Sequence, residues 1–358
     1  MIPIFKPSVS DKSKLYVSQA MEANDIAQGP FINRFETAFS SFCGRKYGVT
    51  CSNGTVALYM AIKALELPKG SEVILPSMTI VSCLTAIIEN GLKPVFCDID
   101  KSTYNIDFKS AQSKITNNTS ALIVVNTYGL MVDVLKLKSF KQQNPSIKII
   151  EDASESHGAT YKDTPAGSLG DISTFSFYTN KVVSMGEGGI VLTDDEHIKN
   201  TLFNIKNLGF TDRKKYINSH AGFNFRLSNL HCAVGLGELE SIKNTIYHRK
   251  RVAHRYNDNF INIPEIQIPQ EPTNYSNVYW YYALKIKHNQ KKVLKALNEN
   301  QIDYRHFFYP LHKQPFIESK EILINSENCF DLGVLLPTYN DLSENEIDEI
   351  SNIIKTTI

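Results

Sequence analysis

Three short stretches of this 358-residue chain carry residue types that could do chemistry together. Lys181 follows the apolar run ISTFSFY at 172–178 and precedes Gly186-Glu187-Gly188-Gly189. A lysine in this setting is either an ordinary solvated surface group or a partly desolvated one. Desolvation disfavours the ammonium, so the amine becomes nucleophilic near neutral pH. Glu151-Asp152 follows the run IKII at 147–150, which sets a carboxylate at a strand end. A carboxylate in that setting needs a cationic partner, either a structural salt bridge or a protonated pyridine nitrogen. Asn53-Gly54-Thr55 opens a run of good helix formers. A helix start presents unpaired N–H groups and positive dipole, and the glycine permits close approach of a phosphate; the same residues also serve as a plain N-cap.

Together these stretches offer a phosphate cradle, an aspartate for a pyridinium and a lysine for a Schiff base. Those are the three handles that pyridoxal 5'-phosphate (PLP) requires. Other cofactor patterns fail. Residues 53–55 lack the lysine and spacing of a P-loop, and 186–189 precede a strand-like run, with Val191 where a dinucleotide motif needs its third glycine. The six cysteines (43, 51, 83, 97, 232 and 329) form no C-x-x-C pair, so they predict reduced core thiols and no metal site. Lys+Arg is 38 and Asp+Glu is 37, a net charge of +1, which supplies no global field for nucleic acid or an acidic membrane. The most basic stretch, His248 to Arg255, lacks interleaved aromatics and predicts a solvated helix face. With no signal-peptide pattern and no apolar run near 20 residues, the expectation is a cytoplasmic protein that makes no membrane contact.

The elements that must position these residues follow from the apolar pattern. Helices are predicted over 55–67 and 81–90. Strands are predicted over 72–76, 93–98, 121–125, 147–150, 172–178 and 189–192. Short β-rich runs alternating with helices indicate an α/β domain with a mixed, mostly parallel sheet, where ligands sit beyond the carboxyl ends of strands. A long helix is predicted from about Leu227 into the 248–251 stretch. A strand over 279–286 and helices over 291–300 and 342–354 follow. This places a large domain over 1–245 and a smaller α+β domain over 246–358. The first 50 residues show only weak amphipathic pattern.

At this point the sequence resembles a known family. Residues 175–181 (FSFYTNK) with Gly186-Glu187-Gly188-Gly189 look like the lysine motif of the DegT/DnrJ/EryC1/StrS sugar aminotransferases. The stretches 52–58 (SNGTVAL), 151–155 (EDASE), 222–226 (GFNFR) and 309–312 (YPLH) match further motifs of that family, in the right order. The resemblance implies a fold-type I PLP enzyme that works as a homodimer with a shared active site. It implies that Lys181 holds PLP covalently, that Asp152 binds the pyridine nitrogen, and that Glu155 lies near the phenolic oxygen. Gly54, Thr55 and Ser176 would bind the phosphate, Asn224 would reach it from the neighbouring subunit, and His312 would face the substrate. The implied reaction moves an amino group from L-glutamate to a nucleotide keto-sugar. Residues 170–177, 180–181 and 308–310 look most like the branch that makes GDP-perosamine, a surface-polysaccharide sugar, by aminating C4 of GDP-4-keto-6-deoxymannose. UDP- or dTDP-linked keto-sugars and small phosphorylated ketones are the alternatives. Family dehydratases carry histidine in place of the lysine, and Lys181 argues against that activity. One departure stands out: Pro76-Ser77-Met78-Thr79 is followed by Ile80, where the family usually has an aromatic residue stacked on the PLP ring.

Overall fold

The computed structural model describes residues 1–212, 216–218 and 220–358. Its main sheet has seven strands, in the spatial order Tyr47–Cys51, Gly189–Thr193, Ile172–Ser176, Lys148–Asp152, Thr119–Val125, Glu72–Pro76, Lys93–Cys97. Gly189–Thr193 runs antiparallel to both neighbours, and every other pairing in this sheet is parallel. The strands are apolar on both sides because both sides are covered. Along Thr119–Val125, Leu122 and Val124 pack with Phe108, Leu137 and Phe140. Ala121, Ile123 and Val125 face the other way, onto Leu58, Ile62, Leu84 and Ile87. A parallel sheet needs that double cover.

The first 50 residues are better ordered than their pattern suggests. They form helices Asp11–Glu22 and Pro30–Phe42 and the edge strand Tyr47–Cys51. Phe31, Phe35 and Phe39 recur every four residues, so they share one helix face. Phe35 and Phe39 meet Phe177 edge-on, and Phe39 also meets Phe175. Helices Phe108–Ser113, Val134–Gln143 and Glu196–Lys206 were also not expected. Each begins on an aspartate (Asp107, Asp133, Asp195) whose side chain accepts a backbone N–H of the first turn.

The expected long helix from Leu227 is two helices, Asn229–Glu240 and Ile242–Phe260, which meet at Ser241. The expected boundary near 245 therefore falls inside the second of them. The C-terminal part holds a four-stranded antiparallel sheet in the order Ile266–Gln267, Tyr282–Ile286, Gly333–Leu336, Arg305–His306. Its strand starts at Tyr282 instead of 279, because Tyr279 takes a left-handed φ of 49°. Helices Ile242–Phe260, Gln290–Glu299 and Glu344–Thr357 cover one face through Tyr256, Phe260, Leu297, Ile347 and Ile350. Ile2 joins that core and bridges to Ile302, so the first residues pack with the C-terminal part and not with the main sheet.

The basic stretch departs from a solvated face. Arg249 is buried at 7% exposure and donates from Nη1 to the Trp280 carbonyl at 2.8 Å. Arg251 donates to the Leu342 carbonyl, and Arg255 pairs with Asp348. These cations hold the C-terminal part together. No helix among the described residues is long and apolar enough to cross a membrane.

Candidate active site

The carboxyl ends of the central strands open into a cavity of about 590 Å³ whose wall includes Gly54, Thr55, Asp152, Glu155, Ser176 and Lys181. Three stretches far apart in sequence thus meet in one place. A roomier cleft of about 880 Å³, beside Phe108 and Phe140, contains none of them.

The cradle is built by backbone contact. Helix Gly54–Ala64 starts on Asn53, whose side chain accepts the Val56 N–H at 2.9 Å. A Cβ on Gly54 would lie 2.6 Å from Ser176 Cβ, and one on Gly189 would lie 2.3 Å from the Asn53 carbonyl oxygen. Such separations are far inside van der Waals contact, so both positions require glycine. The strand ends are thereby drawn against the helix start. Thr55 Oγ1 and Ser82 Oγ share a hydrogen bond of 2.7 Å beside it. The result is a ring of hydroxyls around free N–H groups, which suits a phosphate.

Glu151 and Asp152 are separated by strand alternation. Glu151 points into the protein and accepts from Asn126 Nδ2 and from the backbone N–H groups of Gly167 and Leu169. It is a structural carboxylate. Asp152 faces the cavity at 1% exposure. Its Oδ1 accepts the Ser154 N–H at 3.1 Å, and its Oδ2 lies 3.4 Å from the Cys83 thiol. Burial, reinforced by the Asp152 charge, pushes the Cys83 thiol well up, so the thiol is the donor. No cation pairs with Asp152 among the described residues. A buried carboxylate left with one N–H and one S–H is built for a cation brought by a ligand, and a pyridinium nitrogen fits that requirement.

Lys181 is half-buried, with its N–H on the Tyr178 carbonyl. Burial holds its amine below the usual lysine range, against the opposing pull of Glu155 and Asp152; the Arg249 charge adds to the lowering. Nζ sits 3.6 Å from the centre of the Trp280 ring. Glu155 is fully enclosed and accepts the Tyr128 N–H at 2.7 Å. Burial raises its carboxyl to about 7, although Lys181 and the Tyr128 N–H favour the anion. Tyr128 holds a left-handed φ of 54° to make that bond.

Two expected residues lie elsewhere. His312 is sequestered at 1% exposure behind the cavity. The short turn Leu311–Lys313 tucks it in, with Nδ1 2.6 Å from Ser77 Oγ and Nε2 3.1 Å from Glu327 Oε1. It braces the loop that carries Ile80 and does not line the cavity. Asn224 is exposed, in a backbone bridge with Asn207, and is absent from the cavity wall of its own chain. Ile80 does line the cavity. Trp280, which the sequence analysis did not single out, and Phe308, from the 308–310 stretch, reach the wall from the C-terminal part. Nothing local to the run YWYYALKI distinguishes Trp280 from its neighbours.

The chain is similar to known proteins along its whole length. The model of the DegT/DnrJ/EryC1/StrS aminotransferase family matches residues 7–355. A GDP-perosamine synthase of Vibrio cholerae is 31% identical, with 99% of this chain and 98% of that protein covered. The dTDP-3-amino-3,6-dideoxy-alpha-D-galactopyranose transaminase of Aneurinibacillus thermoaerophilus is also 31% identical, over 93% of this chain and 92% of its own length. Among solved structures, the aminotransferase TlmJ of Streptoalloteichus hindustanus superposes with a TM-score of 0.95 at 21% identity, covering 100% and 98% of the two chains, a likeness of fold. The chain belongs to the DegT/DnrJ/EryC1/StrS aminotransferase family and is a fold-type I, PLP-dependent aminotransferase.

Proposed function

We propose that this enzyme transfers the amino group of L-glutamate to C4 of GDP-4-keto-6-deoxymannose, giving GDP-perosamine for a surface polysaccharide such as an O-antigen. The observation that carries the amino-transfer part is the meeting of Lys181, unpaired Asp152 and the Gly54–Ser176 cradle in one cavity. The full-length similarity to a GDP-perosamine synthase supports the sugar.

Bound here, PLP supplies an electrophilic carbonyl and an electron sink. Lys181 Nζ is the one amine on the described cavity wall. It therefore serves both as covalent anchor and, once released, as the base that moves the donor's α-proton. Asp152 would hold the pyridine nitrogen and keep it protonated, Glu155 would serve the phenolic oxygen, and Gly54, Thr55 and Ser176 would hold the phosphate. Ile80, Trp280 and Phe308 give the cavity apolar walls that exclude water. Asn224, exposed and outside its own cavity, would reach a partner subunit's phosphate in a homodimer.

UDP- and dTDP-linked keto-sugars are the alternative acceptors, because the dTDP-3-amino-3,6-dideoxy-alpha-D-galactopyranose transaminase matches this chain at the same 31% identity. Amination by glutamate is to be tested against GDP-4-keto-6-deoxymannose and UDP- and dTDP-linked keto-sugars, read by mass spectrometry. Fastest turnover of the GDP sugar is expected. Preference for another nucleotide would overturn the acceptor and leave amino transfer standing; a dehydrated product would overturn both.

A further inference from the structure

The indole of Trp280 is held more firmly than a wall residue needs to be. Its Nε1–H donates to the Asn180 carbonyl at 3.0 Å, one residue before Lys181. Its backbone N–H donates to the Tyr128 carbonyl at 3.1 Å. Its own carbonyl accepts from Arg249, whose Nε has no partner and which is nine-tenths buried. The turn beneath it is shaped for this docking. A Cβ on Gly129, at φ 108°, would come within 2.9 Å of the Trp280 nitrogen. The ring so fixed presents its face to Lys181 Nζ at 3.6 Å, well inside the ~6 Å over which a cation is attracted to an indole.

We propose that Trp280 is a positioning residue for the lysine: its indole face is the berth that holds the protonated Lys181 amine whenever that amine is not bonded to the cofactor. The proposal rests on Lys181 being the cofactor-bearing lysine. A released lysine must stay near the reacting carbon through proton transfer, yet it is a flexible four-carbon tether. The carboxylates of Glu155 and Asp152 draw it inward without holding it in contact, and the ring supplies the contact. Because Trp280 comes from the C-terminal part and Lys181 from the main sheet, the berth exists only while the two parts are docked.

Trp280 is the sole tryptophan, so the tryptophan emission of the full-length apoenzyme comes from this ring alone. Wild-type emission should change with pH as Lys181 loses its proton. That step should vanish in Lys181→Met. The groups facing Lys181 are Asp152, Glu155 and Glu187 in the cavity, Arg249, Glu238, Lys6 and Tyr339 behind it, and Tyr178, Tyr281 and His157 nearby. Glu155→Gln should retain the step, which assigns it to the lysine. On adding PLP, covalent capture followed by absorbance should slow about 10-fold in Trp280→Leu and stay within about 3-fold in Trp280→Tyr, which keeps a ring face. Identical emission curves for wild type and Lys181→Met, or equal slowing in Trp280→Leu and Trp280→Tyr, would overturn the berth. The emission arm needs no tryptophan variant to fold. Borohydride fixation followed by peptide mapping tests the lysine itself: PLP on another lysine would end the underlying assignment, whatever the emission does.

Discussion

Replacing Asp152 by asparagine should move stability and activity in opposite directions. In the apoenzyme the Asp152 carboxylate is 1% exposed and has only the Ser154 N–H and the Cys83 thiol as partners. Asparagine keeps the shape and the Ser154 bond while removing a desolvated charge. An imperfectly satisfied buried group costs roughly 1–3 kcal/mol. For a chain of 358 residues the entropy of unfolding is about 0.75 kcal/mol per kelvin, so a gain of about 2 kcal/mol raises the apoenzyme melting temperature by about 3 °C. Turnover moves the other way. Without the anion the pyridine nitrogen loses its proton and the electron sink weakens. A loss of at least about 100-fold is expected, or roughly 2.7 kcal/mol of barrier. The assays are calorimetry of PLP-free protein and glutamate-dependent amination by mass spectrometry. An Asp152→Asn apoenzyme that melts below wild type, together with near-normal turnover, would refute the argument and leave Asp152 a structural group.

Gly54→Ala should weaken PLP binding by about 10-fold or more, since its Cβ would meet Ser176 Cβ at 2.6 Å; Ser176→Gly in the same chain should recover part of the loss, as equilibrium dialysis would record. Glu155 carries a folded value near 7 against an ordinary 4.5, so its contribution to apoenzyme stability is present below about 4.5 and is lost as pH rises through 7. Glu155→Gln should remove about 2.5 kcal/mol of the decline between pH 5 and pH 8 in urea melts, and an unchanged slope would sink the assignment. His312→Ala, which frees Ser77 and Glu327, should cost about 2–4 kcal/mol of stability with little change in sugar KM; a selective rise in KM would instead return His312 to the substrate. If Asn224 acts in trans, mixing Lys181→Ala with Asn224→Asp subunits should restore activity up to about one quarter of wild type, and verified exchange with no recovery would exclude a shared site.

The sequence alone determined the parts whose physics is local. Strands such as Glu72–Pro76 and Lys93–Cys97 are legible because a strand covered on both sides must be apolar throughout. Asn53-Gly54 is legible because a cap and a close approach need those residue types. Lys181 and Asp152 stand out because a charged residue that ends an apolar run has few structural uses. The strand Tyr47–Cys51 was not legible, because its pairing partner, Gly189–Thr193, lies some 140 residues away. Helix Pro30–Phe42 depends on Phe175 and Phe177, equally remote. Only the tertiary structure decided that Glu151 is taken up by Asn126 and the Gly167 and Leu169 N–H groups, that buried His312 braces a loop, and that Arg249 spends its charge inside the protein on the Trp280 carbonyl. Each of those outcomes turns on long-range packing: a side chain's role follows from the neighbours that desolvate or pair it, and those neighbours come from distant parts of the chain.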